Sequence, residues 1–307
     1  MKRKNKTLRR LRHLLTAPAV RAVVFCCAFT PIWLLRFNAR ILGYILSLLP
    51  LSASDTISEH RRTVMASLGI KASSSAIYSS VLTSYFDFFH YSGKSDKAFM
   101  DMVRVKGSEN MTEALDHGKG AIAVTAHFSA WELIPRAVKL LGFETGVVGR
   151  SLTHPGASSI LEHLRAAPGI HVVDRDKGVS PIVRLLRSNT AVGILIDQYT
   201  SRVQSHTVDF LGVPASTPVA PAVLARRLGV PVVPLHIERL RDSSYLLQIE
   251  KPMYFDENDS DSEILDLLNR KIGNWIRNSP EQWVWFHKRW KGFSEYLHTA
   301  KSDSDVP

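Results

Sequence analysis

The sequence predicts an α/β fold, a mainly parallel sheet flanked by helices, preceded by an N-terminal membrane-associated helical segment. Three observations carry this expectation. From Val103 onward, short runs of small and β-branched apolar residues alternate with stretches of helical periodicity, the pattern of strands joined by crossover helices. Polar groups recur directly after those runs, at His127, Arg150, Arg175 and Asp197-Gln198, where open α/β sheets place their ligands. Ahead of Val103 the chain is first basic, then apolar, then helical, without that alternation.

The N-terminal elements come first. Residues 2–12 hold seven basic side chains (Lys2, Arg3, Lys4, Lys6, Arg9, Arg10, Arg12) and no acidic one. Apolar stretches follow at 22–35, broken by Pro31, and at 41–51, with Arg36, Asn38 and Arg40 between them. Neither reaches the roughly 20 residues of a comfortable spanning helix, and residues 35–37 offer no small-residue cleavage site. Helices lying in, or dipping into, the bilayer surface with basic residues on lipid phosphates fit best. A single tilted span with its basic end cytoplasmic is one alternative, and a buried helical hairpin beside a basic tail is another. Residues 58–91 read as helix, with Val81, Leu82, Tyr85, Phe86, Phe88 and Phe89 forming an aromatic face whose default role is core.

Candidate strands are 121–126, 145–149, 170–173, 191–196, 230–237 and 245–249, and candidate helices are 129–141, 155–166, 180–187, 218–228 and 262–277. No internal repeat or linker divides this region. Ser279-Pro280-Glu281-Gln282 is a helix-start pattern, predicting a further helix with Trp283, Phe286 and Trp290 on one face. Residues 299–307 are small and polar, the composition of a disordered tail.

The stretch of greatest chemical interest is AIAVTAHFSAWEL, residues 121–133. An apolar strand ends at His127, and Ser129 and Glu132 form a capping-box pattern that predicts a helix from Ser129. Histidine takes up a proton near neutral pH, and a carboxylate on its other ring nitrogen fixes the tautomer. A His–carboxylate pair without a neighbouring serine or cysteine nucleophile suits activation of a substrate hydroxyl. The competing reading is structural: a capping box alone explains Glu132, and a lone histidine beside a strand is commonly a packing residue. The sequence holds no G-x-S-x-G elbow, no Walker-type phosphate loop and no H-E-x-x-H zinc helix. The His and Cys residues lack metal-ligand spacing, so no metal or cofactor is expected. Arginines at strand ends suit phosphate or a developing oxyanion, because the planar fork makes two charge-assisted bonds.

Lys and Arg total 39 against 28 Asp and Glu, a formal net charge of +11, which calls for an anionic partner such as membrane phosphate, nucleic acid or an acidic protein. The only cysteines, Cys26 and Cys27, are adjacent, so no disulfide framework is implied and a reducing compartment fits. No helix-turn-helix, zinc or single-strand-binding pattern accompanies the charge, which argues against nucleic acid as the partner.

Five segments together resemble a known family. HFSAWE (His127 to Glu132) is similar to the H-x4-[D/E] motif of glycerolipid and lipid A acyltransferases, with Glu where phospholipid-precursor enzymes carry Asp. VGRSLTHP (Val148 to Pro155) resembles their Arg-before-Asn-Pro segment, with His154 in the Asn position. ILIDQ (Ile194 to Gln198) resembles their Asp-Gln strand end. The stretches from Asp209 to Pro218 and from Leu224 to Pro234 resemble the part between that strand and the next, and QWVWFHKRWK (Gln282 to Lys291) their C-terminal Trp/His/Arg signature. The resemblance, over roughly residues 10–292, is to the late (lauroyl/myristoyl) acyltransferases of lipid A biosynthesis.

That resemblance implies a glycerolipid acyltransferase-like fold and transfer of a fatty acyl group from acyl carrier protein, or acyl-CoA, to a hydroxyl of a membrane glycolipid. It implies His127 as general base with Glu132 orienting its ring, Arg150 and Arg165 as contacts for glycolipid phosphates, and Asp197 and Gln198 either as substrate contacts or as braces of the cleft. The expected organisation is an anchor over 1–57, an acyltransferase domain over 58–298 and a tail over 299–307, at the cytoplasmic face of the inner membrane. A related acyl-CoA- or acyl carrier protein-dependent enzyme acting on a lysophospholipid or another lipid acceptor is the alternative. A basic membrane- or nucleic-acid-binding protein without catalysis is a third reading, and it predicts that His127→Ala changes nothing in lipid composition.

Overall fold

Each strand-like run starts after a turn and ends at a polar residue, and the chain folds accordingly. In the computed structural model, residues 17–149, 155–166 and 168–293 are described. The basic residues 2–12, Arg150, His154 and the expected tail at 299–307 lie outside them. The elements that position the site are α1 (Ala17–Phe29), α2 (Ile32–Leu48), α3 (Ser52–His60), α4 (Ser74–Ser92), α5 (Asp96–Met100), β1 (Val103–Lys106), α6 (Ser108–Asp116), β2 (Ala121–Thr125), α7 (Ile134–Leu140), β3 (Thr145–Gly149), α8 (Pro155–Ala166), β4 (His171–Asp174), α9 (Ser180–Arg187), β5 (Ala191–Leu195), β6 (Ser205–Phe210), β7 (Val213–Pro218), α10 (Ala220–Leu228), β8 (Val232–Arg239), β9 (Tyr245–Ile249) and α11 (Asp261–Asn278).

Seven strands form one sheet in the order β1-β9-β8-β2-β5-β3-β4, parallel throughout except for the antiparallel β8/β9 pair. Strand β2 lies at the centre and is buried on both faces, which is why it reads as a continuous apolar run rather than an alternating one. One face is covered by α9, α10 and α11, whose Ile182, Leu186, Leu224, Leu268 and Ile272 join Ile122, Val124 and Val192 in one apolar cluster. The other is covered by α4, α6 and α7 through Phe88, Met111, Leu115 and Val138 against Ala123, Val233 and Leu247.

Several local expectations are corrected. The capping box at Ser129 does not form: Ser129 takes φ 51°, its side-chain oxygen has no partner among the described residues, and its N–H donates to the Gln282 carbonyl at 2.7 Å. The chain becomes helical only at Trp131, as one 3-10 turn (Trp131–Leu133) leading into α7. The helix expected over 58–91 is interrupted: α3 runs on through a π turn (Arg61–Met65) and stops near Gly69, with φ 65°, before α4 restarts. The Ser73 hydroxyl caps that restart by accepting from the Ala76 N–H. The helix expected after Ser279 is a single 3-10 turn (Pro280–Gln282), after which Trp283 is extended at φ −97°, ψ 155°. The hairpin β6–β7 has no counterpart in the sequence reading; its turn residues Leu211 and Gly212 both have positive φ, 59° and 81°.

Candidate active site

Register builds the site. Strands β2 and β5 pair in parallel with Ala121 beside Ala191 and Thr125 beside Leu195, so two residues further on His127 lies level with Asp197. The His127 N–H donates to Asp197 Oδ2 at 2.9 Å, and its Nδ1 lies 2.8 Å from Oδ1. The Trp283 indole N–H reaches Oδ2 at 2.8 Å. Asp197 is fully buried. Burial alone would raise its pKa, but the His127 ring and the three donated hydrogen bonds outweigh that and hold it below the ordinary carboxylate range. An ionised carboxylate only accepts, so Nδ1 carries the proton and Nε2 presents its lone pair. Among the described residues Nε2 has no hydrogen-bond partner; the His127 side chain is 26% exposed and rests against the Trp131 ring at 5.2 Å.

The expected pairing of Glu132 with His127 is therefore not the one formed. Glu132 takes the fork of Arg165 from α8: Arg165 Nε donates to Oε2 at 2.8 Å and Nη2 to Oε1. Both side chains are largely buried, and although burial disfavours the guanidinium, Glu132 raises the Arg165 pKa above its ordinary value. Burial first and Glu132 second push the nearby Tyr85 hydroxyl up to about 12. Beside the pair lies a cavity of about 210 Å³ whose walls include Phe88, Leu133, Leu164 and Ile170 together with Glu132 and Arg165. The N–H groups of Ala130, Trp131 and Glu132, which open the turn after His127, have no hydrogen-bond partner among the described residues.

Of the remaining expected contacts, Gln198 is half-buried one residue beyond Asp197, and Arg150 lies outside the described residues. Arg175 and Arg202 approach Asp176 at the same sheet edge, at 3.8 and 3.7 Å. Among the described residues no cluster of three His, Cys, Asp or Glu side chains is arranged to hold a metal ion.

From sequence the C-terminal Trp/His/Arg segment reads as a lid or interface element or as plain core packing, and its contact with Asp197 is not foreseen there. Trp283 forms an isolated antiparallel bridge with Phe128 and anchors Asp197. The His287 ring, hydrogen-bonded to the Tyr199 backbone, is pushed down to about 4 by burial, with the Asp197 charge the main opposing influence. Arg289 is fully buried without a carboxylate partner among the described residues; its fork donates to the Ser216 carbonyl and to Thr217 Oγ1, and its guanidinium lies 4.7 Å from the Phe210 ring centre. Burial lowers its pKa to about 10, with Asp197 the opposing influence. The signal was the density of Trp, His and Arg in residues 282–291.

A family model described as bacterial lipid A biosynthesis acyltransferase matches residues 74–292, from the start of α4 to just beyond Trp290. The chain belongs to the bacterial lipid A biosynthesis acyltransferase family. No curated protein matches the chain. The match spans every element that contributes to the His127–Asp197 and Glu132–Arg165 pairs, and it leaves α1, α2 and α3 outside. As a lipid A acyltransferase family member the chain is an enzyme that moves an acyl group.

Proposed function

We propose that the protein transfers a fatty acyl group from the thioester of an acyl carrier protein to a hydroxyl of a lipid A precursor at the cytoplasmic face of the inner membrane. His127 Nε2 takes the proton of the acceptor hydroxyl as its oxygen attacks the thioester carbonyl, and Asp197 stabilises the imidazolium that forms. The tetrahedral oxyanion is met by the N–H groups of Ala130 and Trp131. On collapse the C–S bond breaks, and the leaving thiolate takes the proton from His127. No enzyme nucleophile is needed, in keeping with the absence of a serine elbow.

The observation that carries this reading is the His127 imidazole, held by a buried carboxylate on Nδ1 with Nε2 left unbonded. Glu132 serves in it as the counter-charge that fixes Arg165 in the cavity wall. With that fork occupied, the acceptor phosphates fall to Arg150 and the strand-end arginines, with Gln198 as a neutral contact. The net charge of +11 gives an acidic donor protein, anionic glycolipid and bilayer phosphates a common attraction.

The test is mass spectrometry of lipid products after membranes carrying the wild type or His127→Ala meet acyl-acyl carrier protein and a tetra-acylated, Kdo-bearing lipid A precursor. One acyl mass gained with the wild type and lost in the variant is the expected result. Acylation of a lysophospholipid alone would reassign the acceptor, and a gain that survives in the variant would remove His127 from the chemistry.

A further inference from the structure

Exposed apolar surface is concentrated in one place. Of the fourteen large hydrophobic side chains exposed among the described residues, eleven lie between Val23 and Leu49. On α2 six of the seven fall on one side, Trp33, Phe37, Ile41, Tyr44, Ile45 and Leu48, with Trp33 68% and Leu48 67% exposed, and Leu42 lies at the flank. The opposite side, Leu35, Arg36, Ala39 and Gly43, is buried. A patch of this size on a soluble surface marks an interaction site.

We infer that α1 and α2 lie in a single leaflet, as a monotopic seat, and that neither helix crosses the bilayer. This deepens the membrane-associated reading above and rests on it for the identity of the membrane. The occupant of the patch is lipid hydrocarbon, because the exposed charges on its own helices are basic, Arg21 on α1 and Arg40 on α2, no acidic residue occurs in residues 17–48, and the seven basic residues of 2–12 precede it in the sequence.

Length is the first reason against a span. Helix α2 has 17 residues, about 26 Å at the usual rise, short of a hydrocarbon core of about 30 Å. Lengthening it through α3 fails, since the two are bent by 87° at their junction.

Attachment is the second reason. Helix α2 is seamed to α4 along its length: a Cβ at Gly43 would sit 2.5 Å from the Ser79 backbone nitrogen, and Arg36 pairs with the fully buried Asp87 of α4. Helix α1 is tied to the end of α4 as well, where His90 Nδ1 lies 2.8 Å from the Cys27 carbonyl and Lys94 Nζ donates to the Ala28 carbonyl at 3.0 Å. Since α4 is built into the apolar core, α2 cannot swing into a spanning position without taking a buried ion pair into hydrocarbon. Only its outer face is free to enter.

The seat also borders the cavity beside Glu132 and Arg165. The start of α1 touches the first turn of α8, where a Cβ at Gly156 would lie 2.6 Å from the Ala17 side chain, and its other end meets α4 beside Gly93. Those two helices supply Phe88, Ser92, Leu164 and Arg165 to the cavity wall. Lipid in the leaflet therefore has a short lateral path to that cavity.

The test uses the full chain in right-side-out and inside-out vesicles, in a Cys26→Ser background, with a membrane-impermeant maleimide. Lys4→Cys reports the N-terminal tail and Lys251→Cys the catalytic body. Labelling of both from the same side is expected; labelling of Lys4→Cys only from the opposite side overturns the seat. The Trp33→Glu/Phe37→Glu double variant, altered only at exposed positions, is expected to lose at least about tenfold in acylation of bilayer-embedded acceptor while matching the wild type on detergent-dispersed acceptor. Unchanged activity on bilayers would also overturn it. Same-side labelling in a wild type that acylates nothing would strike the donor and acceptor assignment and leave the seat standing.

Discussion

Asp197 is the residue on which the proposed chemistry turns, and its surroundings predict what happens when its charge is removed. Oδ2 accepts two N–H donors, from the His127 backbone and Trp283, while Oδ1 faces the ring. In Asp197→Asn the amide oxygen must stay with those two donors, so the NH2 group faces Nδ1 and forces the proton to Nε2. The base then has no lone pair to offer. The expected outcome is a fall in kcat on the order of 10³- to 10⁴-fold with KM little changed, read by steady-state kinetics beside a melting curve. Glu132→Gln acts differently. It leaves the mostly buried Arg165 without a counter-charge, and a loss of roughly 3 kcal/mol of stability in urea denaturation is expected. A Glu132→Gln protein of wild-type stability that lacked only activity would mean the carboxylate moves onto His127 when substrate binds. The sequence made His127 legible because it ends an apolar run, and Asp197 for the same reason. Their partnership was not legible, because it depends on which strands are neighbours, and Glu132 was nearer in the chain.

Elements were readable where their own periodicity decides their fate and unreadable where tertiary partners do. Strand β9 and helices α8 and α9 have the boundaries that hydrophobic pattern predicts. Ser279-Pro280-Glu281-Gln282 has the residues of a helix start, yet Trp283 leaves the helix to reach Asp197 and Phe128, contacts worth more than another turn. The β6–β7 hairpin escaped notice because its turn puts Leu211, not Asn or Asp, in the left-handed region, and because β7 is built from Pro, Ala, Ser and Thr. Strand β8 carries a further consequence. His236 is buried between Trp275, stacked at 4.5 Å, and Phe128, and its Nδ1 has no partner among the described residues. Burial pushes its pKa down to about 4 from 6.5. Between those values the unfolded chain binds a proton that the folded chain refuses, so stability is full above about pH 6.5 and falls as pH drops toward 4, by about 3 kcal/mol. His236→Phe removes that part of the slope, and urea midpoints at pH 7 and pH 4.5 should lie closer together in the variant than in the wild type. Equal spacing in both would place the acid sensitivity elsewhere.

At the scale of the whole molecule, α2 and the body that carries the sheet are one unit, held by a polar joint in an apolar setting. Asp87 on α4 accepts from Arg36 Nε and Nη2, the latter at 2.6 Å, and from the Tyr245 hydroxyl of β9 at 2.5 Å. Three elements distant in sequence meet there, and a basic residue inside an apolar N-terminal stretch is the only trace the joint leaves in the sequence. Arg36 reads from sequence as an interruption of a hydrophobic run; in the fold it points inward, 8% exposed. Removing one partner of such a pair strands the other, whereas replacing all of them with apolar groups of similar size is close to neutral. Asp87→Asn is therefore expected to lower stability in detergent by about 3–5 kcal/mol and to admit protease first at the connection between α2 and α3, because α2 loses its hold on α4. The triple variant Arg36→Met/Asp87→Leu/Tyr245→Phe should recover most of that loss, leaving the seam at Gly43 and the aliphatic contacts to keep α2 in place. If Asp87→Asn melted and resisted protease like the wild type, the anchor would be held by its apolar seam alone, and the joint would have no part in transmitting the position of the membrane to the catalytic body.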